Sequence, residues 1–187
     1  MALTRLGPNQ LINLASNVTG TLPAGNGGTG STTFSPGKVG QVVYGQTATR
    51  VDGSGGGTVD SGLSASITPS SSSSTILVLV TQQVLKGDTS SAGQYVQLQL
   101  QRQINGGGYS TIKFVTSLGV YIAGTSSGDK HIGANEYSLN LVDAPSTTNQ
   151  VDYKTIIPND SGIMAQPDDT GSTDRGESSM ILMELLA

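Results

Sequence analysis

The chain has 187 residues, no cysteine, one histidine and a formal net charge of −4, a length that suits one domain or a smaller domain with a long arm. Glycine (26 residues), serine and threonine make up over a third of it, while hydrophobic residues reach 35% and charged residues 12%, which disfavours helices and favours short strands joined by many turns. Zero cysteines exclude a disulfide scaffold and cysteine-based metal sites, and the 9 basic residues form no patch, so neither nucleic acid nor an anionic membrane is an expected partner.

Met1 to Gln10 lacks the apolar core of a signal peptide, so the chain is expected to be made and kept in the cytosol or to leave by another route. No segment approaches the ~18 consecutive apolar residues of a membrane-spanning helix. Gly7-Pro8-Asn9-Gln10 can start a short helix with Leu11, Ile12, Leu14 and Ala15 on its apolar side; a short strand fits equally well. Leu22 to Thr33 (LPAGNGGTGSTT) is too broken by glycine and proline for a regular element. Residues 1–35 therefore read as an extended, Gly-rich anchoring arm.

Val39 to Tyr44 has strand composition, and Val51 to Gly62 (VDGSGGGTVDSG) is turn-rich, so residues 36–63 read as a strand plus a flexible linker. From residue 64 the chain is dense in strands. Ser64 to Thr68 leads into Pro69 and the serine run Ser70–Ser74. Thr75 to Val84 (TILVLVTQQV) is the strongest strand, and its unbroken apolar stretch Ile76–Val80 suggests burial on both faces. In Tyr95 to Arg102, Val96, Leu98 and Leu100 alternate with Gln97, Gln99 and Gln101, giving one buried and one wet face. Asn105-Gly106-Gly107-Gly108 is a turn that should pair Tyr95–Ile104 with Tyr109–Ser117 as a hairpin.

Tyr121–Ala123 extends a following strand, Tyr137–Val142 alternates again, and Gln150–Ile157 follows the turn at Asp143-Ala144-Pro145. Ser179–Leu186 closes the chain as a central strand. Seven or eight strands after residue 63, spaced roughly every 10–15 residues, predict an all-β fold, a sandwich or barrel, over residues 64–187. The expected buried positions are Ile76, Val78, Val80, Leu98, Leu100, Tyr153, Ile156, Ile181 and Met183.

Several segments resemble one family. Leu22–Phe34 (LPAGNGGTGSTTF) resembles the LPxxNGGTG segment of phage tail-fibre proteins. Pro36–Val43 (PGKVGQVV) and Asp60–Val80 (DSGLSASITPSSSSSTILVLV) are similar to the start and the signature of a fibre-tip domain found in marine and cyanobacterial phages. Asp143–Lys154 (DAPSTTNQVDYK) resembles that domain's DSPxTTxxxxYK turn and strand, and Ser178–Leu185 (SSMILMEL) its closing strand. The matches keep the family's order from Leu22 to Leu185. The resemblance implies a β-sandwich or jelly-roll-like tip, usually a homotrimer, on a virion exterior. It further implies that residues 1–35 dock on other virion proteins and that the tip faces a host surface glycan or receptor. A capsid decoration protein (cement or head fibre) is the near alternative, and a small polysaccharide-degrading tailspike enzyme the distant one.

Motifs that could carry chemistry read as structural. Gly25-Asn26-Gly27-Gly28-Thr29-Gly30 lacks the Lys-Ser/Thr that completes a phosphate-binding loop. His131, flanked by Gly128 and Gly133, reads as an exposed loop residue rather than a member of a Ser-His-Asp triad. Asp168–Asp174 carries oxygen ligands without EF-hand spacing. Asp143, Asp152 and Glu184 are the acids on or beside strands, the type a glycosidase pairs, but nothing in one sequence brings two together. Asn17-Val18-Thr19 and Asn159-Asp160-Ser161 match the glycosylation pattern, which has meaning only in a secreted chain. No catalytic residue, cofactor or metal is expected. A sandwich of this size is stable by about 5–15 kcal/mol at most, so a shared interface is expected to supplement it. The glutamine face of Tyr95–Arg102 is the candidate surface.

Overall fold

The structure, a computed structural model, describes residues 38–53, 57–88, 94–120, 131–160, 163–166 and 176–187. The chain divides after Gly37 into two units, of which the second, Lys38–Ala187, holds these residues. The expected elements at 7–15, the run Gly25–Gly30, the first sequon, Tyr121–Ala123 and Asp168–Asp174 lie outside the described residues.

Every regular element described is a strand: β1 (Val39–Thr47), β2 (Val51–Gly53), β3 (Gly57–Ile67), β4 (Thr75–Asp88), β5 (Gln94–Ile104), β6 (Ser110–Val120), β7 (His131–Asp143), β8 (Val151–Asp160), β9 (Ile163–Ala165) and β10 (Ser178–Leu185). All pairings are antiparallel. One sheet runs β1–β10–β4–β7. The short β9 shares the β10 edge of β4 further along and carries β2 outside it. The other sheet runs β3–β8–β5–β6. Counting only the eight long strands, the orders are first-eighth-third-sixth and second-seventh-fourth-fifth. This is the strand order of a jelly roll, the double-sheet form of the all-β fold read from the sequence.

Alternation builds the core. Leu63, Ala65 and Ile67 of β3, Val96, Leu98 and Leu100 of β5, and Val151 and Tyr153 of β8 face Ile76, Val78 and Val80 of β4 and Met180 and Leu182 of β10 across the sheets. Strands covered on one face place every second side chain inside. Gly45 in β1 marks a corner where the sheets nearly touch. A Cβ there would overlap the Ser64 carbonyl oxygen and lie 3.0 Å from Ala65 Cβ. The β5–β6 hairpin turns at Asn105 (φ 50°) and Gly106 (φ 71°), the left-handed pair that Asn-Gly adopts most easily.

Three expectations need correction. The sandwich begins near Lys38 rather than Ser64, because β1 pairs along β10 and β3 along β8. The stretch Val51–Gly62, expected to be a flexible linker, contains β2 and the first half of β3, with Leu63 fully buried just beyond it. In β10 the buried phase is Met180 and Leu182, and Ile181 and Met183 are half-buried on the opposite face. That strand is apolar at both parities, and the phase is set by register, with Met180 opposite Val80 and Leu182 opposite Val78. The remaining expected core residues, Ile76, Val78, Val80, Leu98, Leu100, Tyr153 and Ile156, are buried.

Candidate assembly surface and buried polar latches

The two outer faces of the sandwich differ in chemistry. On β4 the side chains at 76, 78 and 80 point inward, so Leu77 and Leu79 point out. Antiparallel register then fixes their neighbours. Val42, Met183, Leu77 and Val142 form one row across the four strands. Tyr44, Ile181, Leu79 and Asn140 form the next. Val39 and Leu185 continue the apolar surface at one end. Gln46, Ser179, Thr81 and Ser138 bound it at the other, followed by Gln83, which donates to Glu136 at 2.7 Å. Val42, Tyr44 and Val142 are each about half exposed, at 55%, 55% and 56%. The unbroken run Ile76–Val80 is thus buried on one face and only half-buried on the other, and no described residue covers that second face.

The outer face of the β3–β8–β5–β6 sheet is mainly polar, with Phe114, opposite Gln99 and 43% exposed, as an apolar side chain among polar ones. It carries Gln99 and Gln101 beside Thr111, with Thr111 Oγ1 donating to Gln99 Oε1 at 2.8 Å. Lys154 pairs with Asp60 at 2.7 Å and lies 4.4 Å from the Tyr109 ring centroid. The expected wet glutamine face is here.

The three strand-borne acids have separate structural duties. Glu184 and Asp143 flank Ile76 on the two neighbouring strands, so both face inward at the same end of the sandwich. Glu184 is 1% exposed. Its Oε1 accepts from Ser70 N and Ser70 Oγ, both at 2.7 Å, and its Oε2 accepts from Gln41 Nε2 at 2.8 Å. Burial alone would raise the carboxyl pKa, but these donors outweigh it and hold the pKa down to about 2. Ser74 Oγ, buried without a partner at hydrogen-bond length, adds to that effect at longer range. Glu184 therefore ties the serine run after β3 to β10 and β1.

Asp143 accepts from Arg102 Nη1 at 2.8 and 3.0 Å and from Tyr153 Oη at 2.7 Å, so one carboxylate joins β7 to β5 and β8 in the facing sheet. Burial, followed by the Asp143 hydrogen bond and charge, raises the Tyr153 phenol far above its ordinary value; nearby Arg102 opposes this. Asp152 sits on the outer face, accepting from Gln150 Nε2 at 2.6 Å.

Sequence reading misses a buried polar ring between the sheets. Ser61, Gln82, Thr155, Gln166 and Ser178 are all 0% exposed. Ser178 Oγ lies 2.9 Å from Gln82 Nε2, from Gln83 N and from the Gln166 amide. A hydroxyl has one proton and two lone pairs, so two of these neighbours donate and the third must accept. Gln166 accordingly presents its oxygen to Ser178, and its nitrogen reaches the carbonyls of Thr49 and Ser61, each at 3.0 Å. Thr155 Oγ1 donates to Gln82 Oε1 at 2.7 Å, which leaves Ser61 Oγ as the donor to Thr155 while it accepts from Leu63 N. The donors then run one way, from Ser61 through Thr155, Gln82, Ser178 and Gln166 back to Ser61, with every proton used.

His131 is the first residue of β7, opposite Asp88, rather than a loop residue. Asn159 of the second sequon falls in β8. Among the described residues, no group of three His, Cys, Asp or Glu side chains is placed to hold a metal ion, and no helix is long and apolar enough to cross a membrane.

No family model matches the chain, and no curated protein is similar enough to match. Among solved structures, it is similar to a chain in the structure of infectious bursal disease virus Gx strain, at 13% identity and a TM-score of 0.31, over 100% of this chain and 43% of that one. The chain spans less than half the length of that protein.

Proposed function

We propose that the chain is a non-catalytic structural subunit of a bacteriophage virion, a short trimeric fibre or spike. Residues 1–35 anchor it to other virion proteins, and the jelly roll projects outward for attachment to a host glycan or receptor. It is made in the host cytoplasm and ends on the tail or capsid exterior. The observation that carries this reading is the pair of unlike outer faces. A monomeric soluble domain does not usually leave two adjoining apolar rows in water, whereas an assembly subunit has something to cover them. The polar, glutamine-lined face suits the side that stays wet. The segments that resemble phage fibre-tip proteins supply the particle.

The acids a glycan-cleaving enzyme would need are committed elsewhere. Glu184 and Asp143 accept several hydrogen bonds each and are separated by Ile76, which favours structure over hydrolysis. Antibodies to the sandwich, used in gold labelling of purified phage particles, test the reading. Decoration of the exterior at a fixed site is expected, and particles that neither bind the antibody nor contain the chain would overturn it.

A further inference from the structure

We propose that β2 and β9 form a strap that opens from β4 as a unit while the rest of the sandwich stays folded, with the Gln166 side chain as its latch. The inference stands independently of the virion reading. The β4 edge that faces β10 changes partner along its length. Thr75–Thr81 pair with β10 and Val84–Lys86 with β9, whereas on the opposite edge β7 pairs without a break from Ile76 to Asp88. β9 offers β4 three register pairs, and β2, outside it, joins the ladder through three pairs with β9. Two short strands alone make a marginal ladder, so their attachment depends on what holds the point where β4 changes partner.

At Gln83 neither β10 nor β9 is in register, and other groups complete the ladder. Gln83 N donates to Ser178 Oγ at 2.9 Å, and Gln83 O accepts from Gln166 N at 3.1 Å. Gln166 holds φ at 47°, a left-handed conformation that a residue other than glycine keeps where surrounding contacts fix it. Those contacts come from its side chain, which is 0% exposed. The amide accepts from Ser178 Oγ and Gln82 Nε2 and donates to the carbonyls of Thr49 and Ser61. One side chain thus ties the end of β9 to β10, β4, β3 and the β1–β2 connection. Its departure does not dismantle the buried ring. Ser61, Thr155, Gln82 and Ser178 remain linked in a line across the two sheets, with Ser61 and Ser178 at the ends facing the gap. Water entering where the strap lifts can meet those ends, so opening costs less than unfolding.

Amide hydrogen exchange of the full chain, followed residue by residue by NMR, tests the proposal. Main-chain groups alternate between the two edges of a strand. Leu85, two residues beyond Gln83, therefore turns its amide to β9, while Leu79 and Thr81 turn theirs to β10. Relative to its unstructured rate, the Leu85 amide should exchange at least about 100-fold faster than that of Leu79, with little dependence on dilute urea. Gln166→Ala should speed Leu85 by at least about 10-fold through the loss of buried hydrogen bonds. Glu184→Gln, opposite Ile76 and about 30 Å away along β4, should speed Leu79 and leave Leu85 unchanged, because the closed and open straps share that end.

A crosslink tests the strap without weakening the fold. Lys86 and Ile163 are a non-hydrogen-bonded pair, whose Cα atoms in such ladders lie about 4.5 Å apart, within disulfide reach. In the Lys86→Cys/Ile163→Cys double variant these are the chain's only cysteines. Oxidation should slow Leu85 to the rate of Leu79, and reduction should restore the difference. Leu85 exchanging in step with Leu79 in the wild type, with the same urea dependence, would overturn the strap. So would a disulfide without effect on Leu85, or equal speeding of both amides by Glu184→Gln. A Gln166→Ala chain with Leu85 unchanged would overturn the latch.

Discussion

Glu184→Gln changes one atom of the fold and tests how the open end of the sandwich is held. The carboxylate accepts three hydrogen bonds of 2.7–2.8 Å from Ser70 and Gln41. A carboxamide can keep its oxygen toward the two Ser70 donors but must then turn its NH₂ toward Gln41 Nε2. Gln41 cannot rotate its amide freely to suit, because the same nitrogen donates to Thr68 O at 2.6 Å. The variant thus loses one charge-assisted bond, weakens two more and leaves a donor facing a donor. Hydrogen bonds to charged groups contribute about 1.5–3 kcal/mol each and neutral ones about 1, so the expected loss is about 2–4 kcal/mol at pH 7. The sign of the pH dependence follows from the depressed pKa. The group titrates near 2 when folded and near its ordinary 4.5 when unfolded. Its stabilisation is complete above pH 4.5 and disappears as pH falls from there toward 2. Urea midpoints for wild type and variant, measured from pH 7 to pH 2.5, should converge in the acid range. A gap that stays constant across that range, or no gap at pH 7, would refute the assignment of Glu184 as a charged latch.

Leu98→Asp should cost about 4 kcal/mol or more by placing an unpaired charge in the core, while Gln99→Asp one position on should stay within about 1 kcal/mol; equal losses in chemical denaturation would reject the strand phase. Gly45→Val should destabilise by about 1–3 kcal/mol through its clash with Ser64, whereas Gly57→Val, with open space around it, should not, as thermal melts would record. Thr155→Val strands Ser61 and Gln82 and should cost about 1–3 kcal/mol. Combined with Ser61→Ala it should cost less than the sum of the two, and strict additivity in a double-mutant cycle would show that the ring is not one unit. Mild proteolysis should leave a resistant core that starts near Lys38 and includes β1. A stable fragment beginning at Ser64 would mean that β1–β3 are dispensable.

Strands with plain alternation are legible in the amino-acid sequence alone. Val96, Leu98 and Leu100 against their glutamines announce β5, and Asn105-Gly106 announces its hairpin. A sandwich or barrel follows from the number of strands and their spacing, whereas the jelly-roll order is fixed only by which strands pair. β3 is half hidden, because GTVDSGLSAS packs small residues, and Ser61 and Ala65 do not signal burial as leucines do. β10 conceals its phase because Met180 to Met183 is apolar at every position, so only pairing with β4 says which side is inside.

The polar ring is out of reach for a different reason. Serine, threonine and glutamine are ordinarily surface residues, and their partners here lie 73 to 96 positions apart, except for Gln166 and Ser178, 12 apart. Glu184, a lone acid in SMILMELL, does carry a usable signal: a charge in a central strand needs a dedicated set of donors, and the serine run after β3 is one. The apolar outer face is visible as Ile76–Val80 but reads as burial within the domain, since a single sequence does not distinguish a core strand from one with an apolar outer face.

A reconstruction of the intact phage particle tests the central claim most directly. The account predicts copies of this jelly roll on the exterior, arranged about a local threefold axis. Val42, Tyr44 and Val142 should be covered by a neighbouring chain of the particle, and the face bearing Gln99 and Gln101 should point to solvent. Particles with no density for this fold, or copies standing singly with the Val42–Val142 row exposed and the glutamine face packed against the virion, would contradict it.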